Sequence, residues 1–155
     1  MAEIISRAIE VCPFRIRNDK PEFLLIRRSA TEPRYPGMWQ FVTGSVEEGE
    51  KAYESALREL KEETGSEGVR LWAVPSLTSF YDVRTDRVNL VPQFAAQFEP
   101  GFEVRLSAEH SAFEWLPYAA AMGRLVWPGQ KACLEIVRAY IVGGEEASRL
   151  LEIPR

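Results

Sequence analysis

The chain is poor in the residues that several classes of protein depend on. Its 155 residues include a single histidine, His110, and two cysteines, Cys12 and Cys133. The cysteines have no metal-like spacing and lie among apolar neighbours. A disulfide framework and a Cys/His zinc site are both excluded, and the pair reads as buried thiols of a cytoplasmic protein. No apolar run approaches the ~20 residues of a membrane span. The opening MAEIISRAIE carries charges where a signal peptide needs an apolar stretch. Positive charge is not in excess: 19 Lys+Arg against 23 Asp+Glu leave a net −4. A general nucleic-acid binder needs a basic surface for phosphate contacts and is not expected. No repeat, low-complexity tract or linker interrupts the chain. What remains is ordinary globular composition, 46% hydrophobic and 27% charged. The length predicts one domain over residues 1–155, large enough for a real core without staples.

Residues 4–16 and 22–28 read as strands around the turn-prone Asn18-Asp19-Lys20-Pro21. Residues 31–38, with two prolines and a glycine, are a loop, and 39–43 a short strand ending at Gly44. Tyr53, Ala56, Leu57, Leu60 and Thr64 recur at helical spacing, so 51–64 is a helix, stopped by Gly65. Residues 69–83 and 87–98 form a hairpin of longer strands, with Pro75 and Pro92 marking edges or bulges. A loop over 100–112 and a short strand over 113–118 follow. Pro128-Gly129 then open a second amphipathic helix with Cys133, Ile136, Val137, Tyr140 and Ile141 on one face, closed by Gly143-Gly144. Strands mixed with two good helices predict an α+β fold, a sheet covered by helices on its faces.

The charge is unevenly placed. Residues 47–67 hold eight acidic residues against Lys51, Arg58 and Lys61, a net −5 in a chain whose total is −4. Acidic helices are commonly just solvated faces. Here, at ~100° per residue, Glu59, Glu62 and Glu63 share one face, roughly 120° around from the apolar stripe of Tyr53, Leu57 and Leu60. Like charges at this spacing repel, and a hard dication would relieve them. Mg²⁺ takes oxygen ligands, typically one or two carboxylates plus substrate phosphates. Such an ion polarises a phosphate and activates a water. Gly44, at the end of the preceding strand, lets backbone approach a ligand closely.

The stretch Gly44-x5-Glu50-x7-Arg58-Glu59-Leu60-x-Glu62-Glu63-x-Gly65 resembles the Nudix box of the Nudix hydrolases. The box spans 44–66, and its one departure is Ser66, where a bulky aliphatic residue is usual. The resemblance implies an α/β/α sandwich with a mixed sheet, and cleavage of a pyrophosphate bond with Mg²⁺ or Mn²⁺. It also implies that Glu59 and Glu63 are the main metal ligands, with Glu62 and the Gly44 carbonyl as further contacts. Arg58 would pair with Glu50 and hold the catalytic helix face in register.

The family often takes another carboxylate from a distant loop. Glu109 is the candidate for late metal ligand or general base, and Glu114 its rival. His110 reads as a packing or hydrogen-bonding residue. A finer similarity runs through Trp39-Gln40-x-Val42-Thr43-Gly44 and Glu109-His110-x-Ala112-x-x-Trp115, towards the subgroup that hydrolyses dihydroneopterin triphosphate and deoxynucleoside triphosphates such as dATP. The implied partner is therefore a small nucleotide or pterin triphosphate. Dinucleoside polyphosphates are the alternative substrates, and a non-catalytic nucleotide-binding module the alternative function. Arg27, at the end of a strand, is the candidate for holding distal phosphates, and Trp39 for stacking on the ring. Whether the chain acts alone or as a homodimer is not fixed by these patterns.

Overall fold

The computed structural model describes residues 1–155. Its elements run β1 (Glu3–Ile5), β2 (Ala8–Arg17), β3 (Lys20–Arg28), β4 (Trp39–Gln40), β5 (Val42–Ser45), α1 (Ala52–Thr64), β6 (Arg70–Asp82), β7 (Arg87–Gln97), β8 (His110–Leu116), α2 (Tyr118–Arg124), α3 (Pro128–Ile136) and α4 (Glu145–Leu151). The sheet is mixed. β7 lies parallel to β1 and β2 on one edge and antiparallel to β6 on the other. β2 continues outward to β3 and β5, and β3 to β4 and β8, all antiparallel.

Alternation along the central strands divides the core into two layers. Ile9, Val11, Leu24 and Ile26 pack with Ala56 and Leu60 of α1 on one face. Cys12, Phe14, Phe23 and Leu25 pack with Ala121 of α2 and with Cys133, Leu134 and Val137 of the last long helix on the other. This is the expected sandwich of helices about a mixed sheet. Both cysteines are free and buried, and burial pushes both thiols well above their ordinary range, so they are inert packing groups. No helix is long and apolar enough to cross a membrane.

Three departures from the expected elements have local causes. The first strand is broken between β1 and β2. Ile5 faces Asn89 and Glu10 faces Gln93, so the first chain spends one residue more than its partner there. As Pro75 predicts, and so not among these departures, β6 bulges between Val74 and Leu77, absorbing Pro75-Ser76. α2 stands where no element is expected, because YAAAMGR is short and alanine-rich and shows little amphipathic contrast. The helix from Pro128 loses α geometry after Ile136 and finishes in a π-helical segment, Val137–Val142, before α4. That change of period turns Tyr140 outward, 56% exposed, although helical spacing placed it on the buried face with Ile141. α4 buries no residue and is tied down by the Trp72 indole, which donates to the Ser148 carbonyl at 2.9 Å.

α1 begins after Lys51, whose N–H donates to the Glu54 carboxylate at 2.9 Å, and ends at Gly65 with φ 78°. That left-handed angle is why a glycine closes the helix. Ser66 follows, almost fully buried with no partner for its hydroxyl. It borders a surface pocket of about 240 Å³ lined also by Glu67, Arg70, Phe98 and Glu99. Ser66→Val is expected to stabilise the protein by about 1 kcal/mol by removing a buried hydroxyl without a partner, read as a higher urea midpoint at unchanged slope.

Candidate active site

Strand β5, helix α1 and the loop before β8 converge at the carboxylates. β5 is pinned by pairing with β2, Gly44 lying opposite Ile9. The Glu59 carboxylate fills the place where a side chain on Gly44 would stand: a Cβ built there falls within the Glu59 carboxyl group. Glu59 and Glu63 are 8% and 4% exposed, so neither lies on a solvated face; Glu62 alone of the three points outward. Lys61 pairs with Glu67 at 2.6 Å and plays no part in neutralising the triplet.

Arg58 braces this face. Its Nε and Nη2 donate to Glu50 at 2.7 and 3.1 Å, Nη2 also to the Ser45 carbonyl at 2.7 Å, and Nη1 to Glu59 at 2.9 Å. A looser approach at 3.4 Å reaches Glu62. One guanidinium thus ties the loop, the strand end and the helix together, with its planar fork matched to the carboxylate of Glu50. The hydrogen bond from Arg58, then those from Ser55 and the Glu47 backbone, lower the Glu50 pKa to about 2. A depressed carboxylate stabilises the fold above its ordinary range and loses that contribution as pH falls towards the folded value. The difference in Tm between the wild type and Glu50→Gln is therefore expected to be constant above about pH 5 and to close between pH 4.5 and 2. Thermal melts by circular dichroism across that range check it, and a gap persisting at pH 2 would show that Glu50 acts through something other than its charge.

The third side comes from a distant segment. Arg105 N–H donates to the Thr64 carbonyl at 2.9 Å, and Ser29 N–H to the Glu109 carbonyl at 2.8 Å, fixing the loop against α1 and against the end of β3. One ligand atom each from Glu63, Glu109 and His110 lies within 4.8 Å of the others. Ser107 Oγ donates to Glu63 Oε2 at 3.1 Å, and His110 Nδ1 approaches the same oxygen to 2.5 Å. The regular angular geometry of a hydrogen bond is not met at His110. The two atoms are nonetheless in direct contact.

The three acidic groups titrate apart. Burial, the largest influence, pushes Glu59 above its ordinary value despite Arg58 beside it. Burial also works upward on Glu63, but His110, Ser107 and Glu109 outweigh it and hold that carboxyl low. The charge of Glu63, and then burial, push Glu109 up. Carboxylates brought this close favour a cation beside them. The donor set fits a hard divalent ion: buried Glu63 grouped with exposed Glu109, and the Glu59 carboxyl seated against Gly44.

The other sequence candidates lie elsewhere. Glu114 is exposed and pairs with Arg124 at 2.5 Å. Arg27 and Trp39 face each other across β3 and β4. Trp39 packs on the layer opposite α1, with the Arg124 guanidinium 4.7 Å above its ring. Arg27 Nε donates to the Gly37 carbonyl at 3.1 Å. Arg28 is also engaged, donating to the Arg34 carbonyl at 2.7 Å. Ser107 and the direct contact of His110 with Glu63 were not foreseen, because no spacing rule links residue 63 to residues 107 and 110; only the adjacency of His110 to Glu109 hinted at it.

Comparison with known proteins places the fold and the family. The chain is 36% identical over 125 residues to an octanoyltransferase of Myxococcus xanthus, covering 79% of this chain and 34% of that protein, so it spans about a third of that relative. It is 28% identical over 152 residues to the dihydroneopterin triphosphate diphosphatase of Escherichia coli K12, covering 87% of this chain and 95% of the relative. It is 31% identical over 123 residues to the asymmetrical bis(5'-nucleosyl)-tetraphosphatase of Mus musculus, covering 78% and 81%. Among solved structures, a NUDIX hydrolase of Listeria monocytogenes superposes with a TM-score of 0.75 at 26% identity, over 87% of this chain and 93% of the other. The family model described as the NUDIX domain matches residues 7–137. With its box on the loop–helix that carries the carboxylates, the chain belongs to the NUDIX family.

Proposed function

We propose that residues 1–155 act as one NUDIX hydrolase domain that cleaves dihydroneopterin triphosphate or a nucleoside triphosphate such as dATP, with release of pyrophosphate and with Mg²⁺ or Mn²⁺. The observation that carries this reading is the grouping of Glu63, Glu109 and His110 within 4.8 Å of one another, with the Glu59 carboxylate seated in the space that Gly44 leaves open. Glu59, Glu63, Glu109 and the Gly44 carbonyl would hold the ion, with Glu62 at its outer side. When bound, the ion supplies charge neutralisation on the phosphates and a water of lowered pKa. The remaining work belongs to the chain. Glu109, the most exposed of those three carboxylates, would serve either as the late ligand or as the base that takes the proton of the attacking water. Arg58 keeps Glu59 and the helix face fixed through its bonds to Glu50 and the Ser45 carbonyl. Trp39 and its cross-strand partner Arg27 lie on the layer opposite α1, so a substrate contact from them would have to come over the sheet edge.

Asymmetrical cleavage of a dinucleoside tetraphosphate is the second reading, supported by the similarity to the mouse enzyme. Incubation with dihydroneopterin triphosphate, dATP and diadenosine tetraphosphate, with product analysis, separates the two. Pyrophosphate from the first two, abolished by excess chelator, is expected. Activity that survives chelation, or turnover confined to the dinucleotide, would overturn the first reading. Turnover of none with metal present would point to the binding module.

A further inference from the structure

Glu63 is addressed by two side chains that are not themselves carboxylates, both from the loop leading into β8. Ser107 Oγ and His110 Nδ1 converge on the same oxygen, Oε2, at 3.1 and 2.5 Å. This leaves Oε1 as the oxygen available to an ion. The His110 ring is as buried as the carboxylate it meets, with side-chain exposures of 4% and 5%. Neither ring nitrogen meets hydrogen-bond geometry with any group, and the approach of Nδ1 to Glu63 is the ring's close polar contact. Its backbone is equally fixed, since His110 opens β8 opposite Arg28 and its N–H donates to the Ser107 carbonyl at 3.3 Å. A carboxylate on a helix has free torsions; one gripped at Oε2 from a separate element has one orientation.

We propose that His110 is a positioning residue, and that its Nδ1 contact on Glu63 Oε2, seconded by Ser107, turns the other carboxylate oxygen towards the divalent ion. Groups that orient metal ligands in this way commonly matter 10–100-fold in metal affinity. His110 is not read as a ligand here: Nδ1 is committed to Glu63. The same contact couples Glu109 to Glu63, because Ser107, Glu109 and His110 sit on one short turn whose Ser107 hydroxyl also accepts from the Glu109 N–H at 3.4 Å. The proposal rests on the reading of Glu63 as a metal ligand.

Two substitutions separate positioning from packing. His110→Asn places an amide N–H where Nδ1 stands, whereas His110→Phe keeps the ring and removes the donor. Binding of Mn²⁺ alone is measured by electron paramagnetic resonance on purified protein, with near-UV circular dichroism confirming the native fold. Mn²⁺ affinity is expected to fall about 10–100-fold in His110→Phe and to stay within about 3-fold of the wild type in His110→Asn. In kinetics kcat should follow the same order, with KM for the triphosphate nearly unchanged at saturating metal. Wild-type affinity in His110→Phe would overturn the proposal. So would His110→Asn as weak as His110→Phe, since then the ring and not its donor would be needed. If His110→Phe does not fold, His110→Asn against Ser107→Ala decides: Ser107→Ala weaker by a few-fold with His110→Asn near wild type supports it, and both unchanged or both equally impaired overturns it. Failure of the underlying reading is distinct, because then the wild type itself would bind no Mn²⁺.

Discussion

Glu63→Gln should lose about 10²–10⁴-fold in kcat for pyrophosphate release, the range expected when a group central to proton transfer or ion binding is removed, while the protein stays folded. Glutamine keeps the shape and can still accept from Ser107, so packing around the C-terminal half of α1 should survive. The negative charge is what disappears. In the structure that charge is the largest influence on Glu109, pushing its pKa upward. Without it Glu109 loses its close neighbour, and an ion between the two loses one ligand. Titrating Mn²⁺ into the variant distinguishes the contributions. Recovery at high metal shows that Glu63 chiefly binds the ion; a deficit that persists at saturation shows that it also takes part in the reaction. Undiminished activity at ordinary metal would contradict the site as described.

Gly44→Ala is expected to be nearly as damaging although it adds one methyl group. That carbon would occupy the space of the Glu59 carboxyl. The strand cannot yield, because Ala8–Val11 of β2 pair along Val42–Ser45. The end of the Glu59 side chain is what moves, away from the strand end and from its 2.9 Å contact with Arg58. Displacement of a catalytic-site group by about 1 Å can cost ~10²-fold in rate, and a similar loss of activity is expected here. Stability should change little by comparison, since only the end of one side chain is displaced while the β5–β2 pairing is kept. Activity and Tm measured on one preparation check the split. A large fall in Tm with activity per folded molecule intact would mean that Gly44 serves the strand and not the site.

Local patterns carried much of the architecture. The apolar stripe of Tyr53, Ala56, Leu57 and Leu60 located α1, and the left-handed Gly65 ended it where the spacing required. The turn at Asn18-Asp19, both with positive φ, joined β2 to β3 as its composition predicted. Pro75 fell in the β6 bulge. Segments without contrast were illegible. α2 is short and alanine-rich, and α4 buries nothing, so neither writes a periodic signal. The π-helical turn that swings Tyr140 outward depends on packing among the final helices and leaves no mark in the residue order.

The site divides along the same line. Arg58, Glu59, Glu62 and Glu63 stand on one side of α1 by helical geometry alone, and Glu50, in the loop before it, is brought there by Arg58. Their chemistry was therefore readable from spacing. Which of them would be buried was not. Glu59 is enclosed because β5 passes it at a glycine, Glu63 because the loop before β8 closes over it, and Glu62 meets neither. The partnership of Glu63 with Ser107, Glu109 and His110 joins positions more than forty residues apart. Periodicity reports only contacts within one element. Contacts between elements are set by strand register and by which loop ends beside which helix, and those are decided only when the sheet assembles.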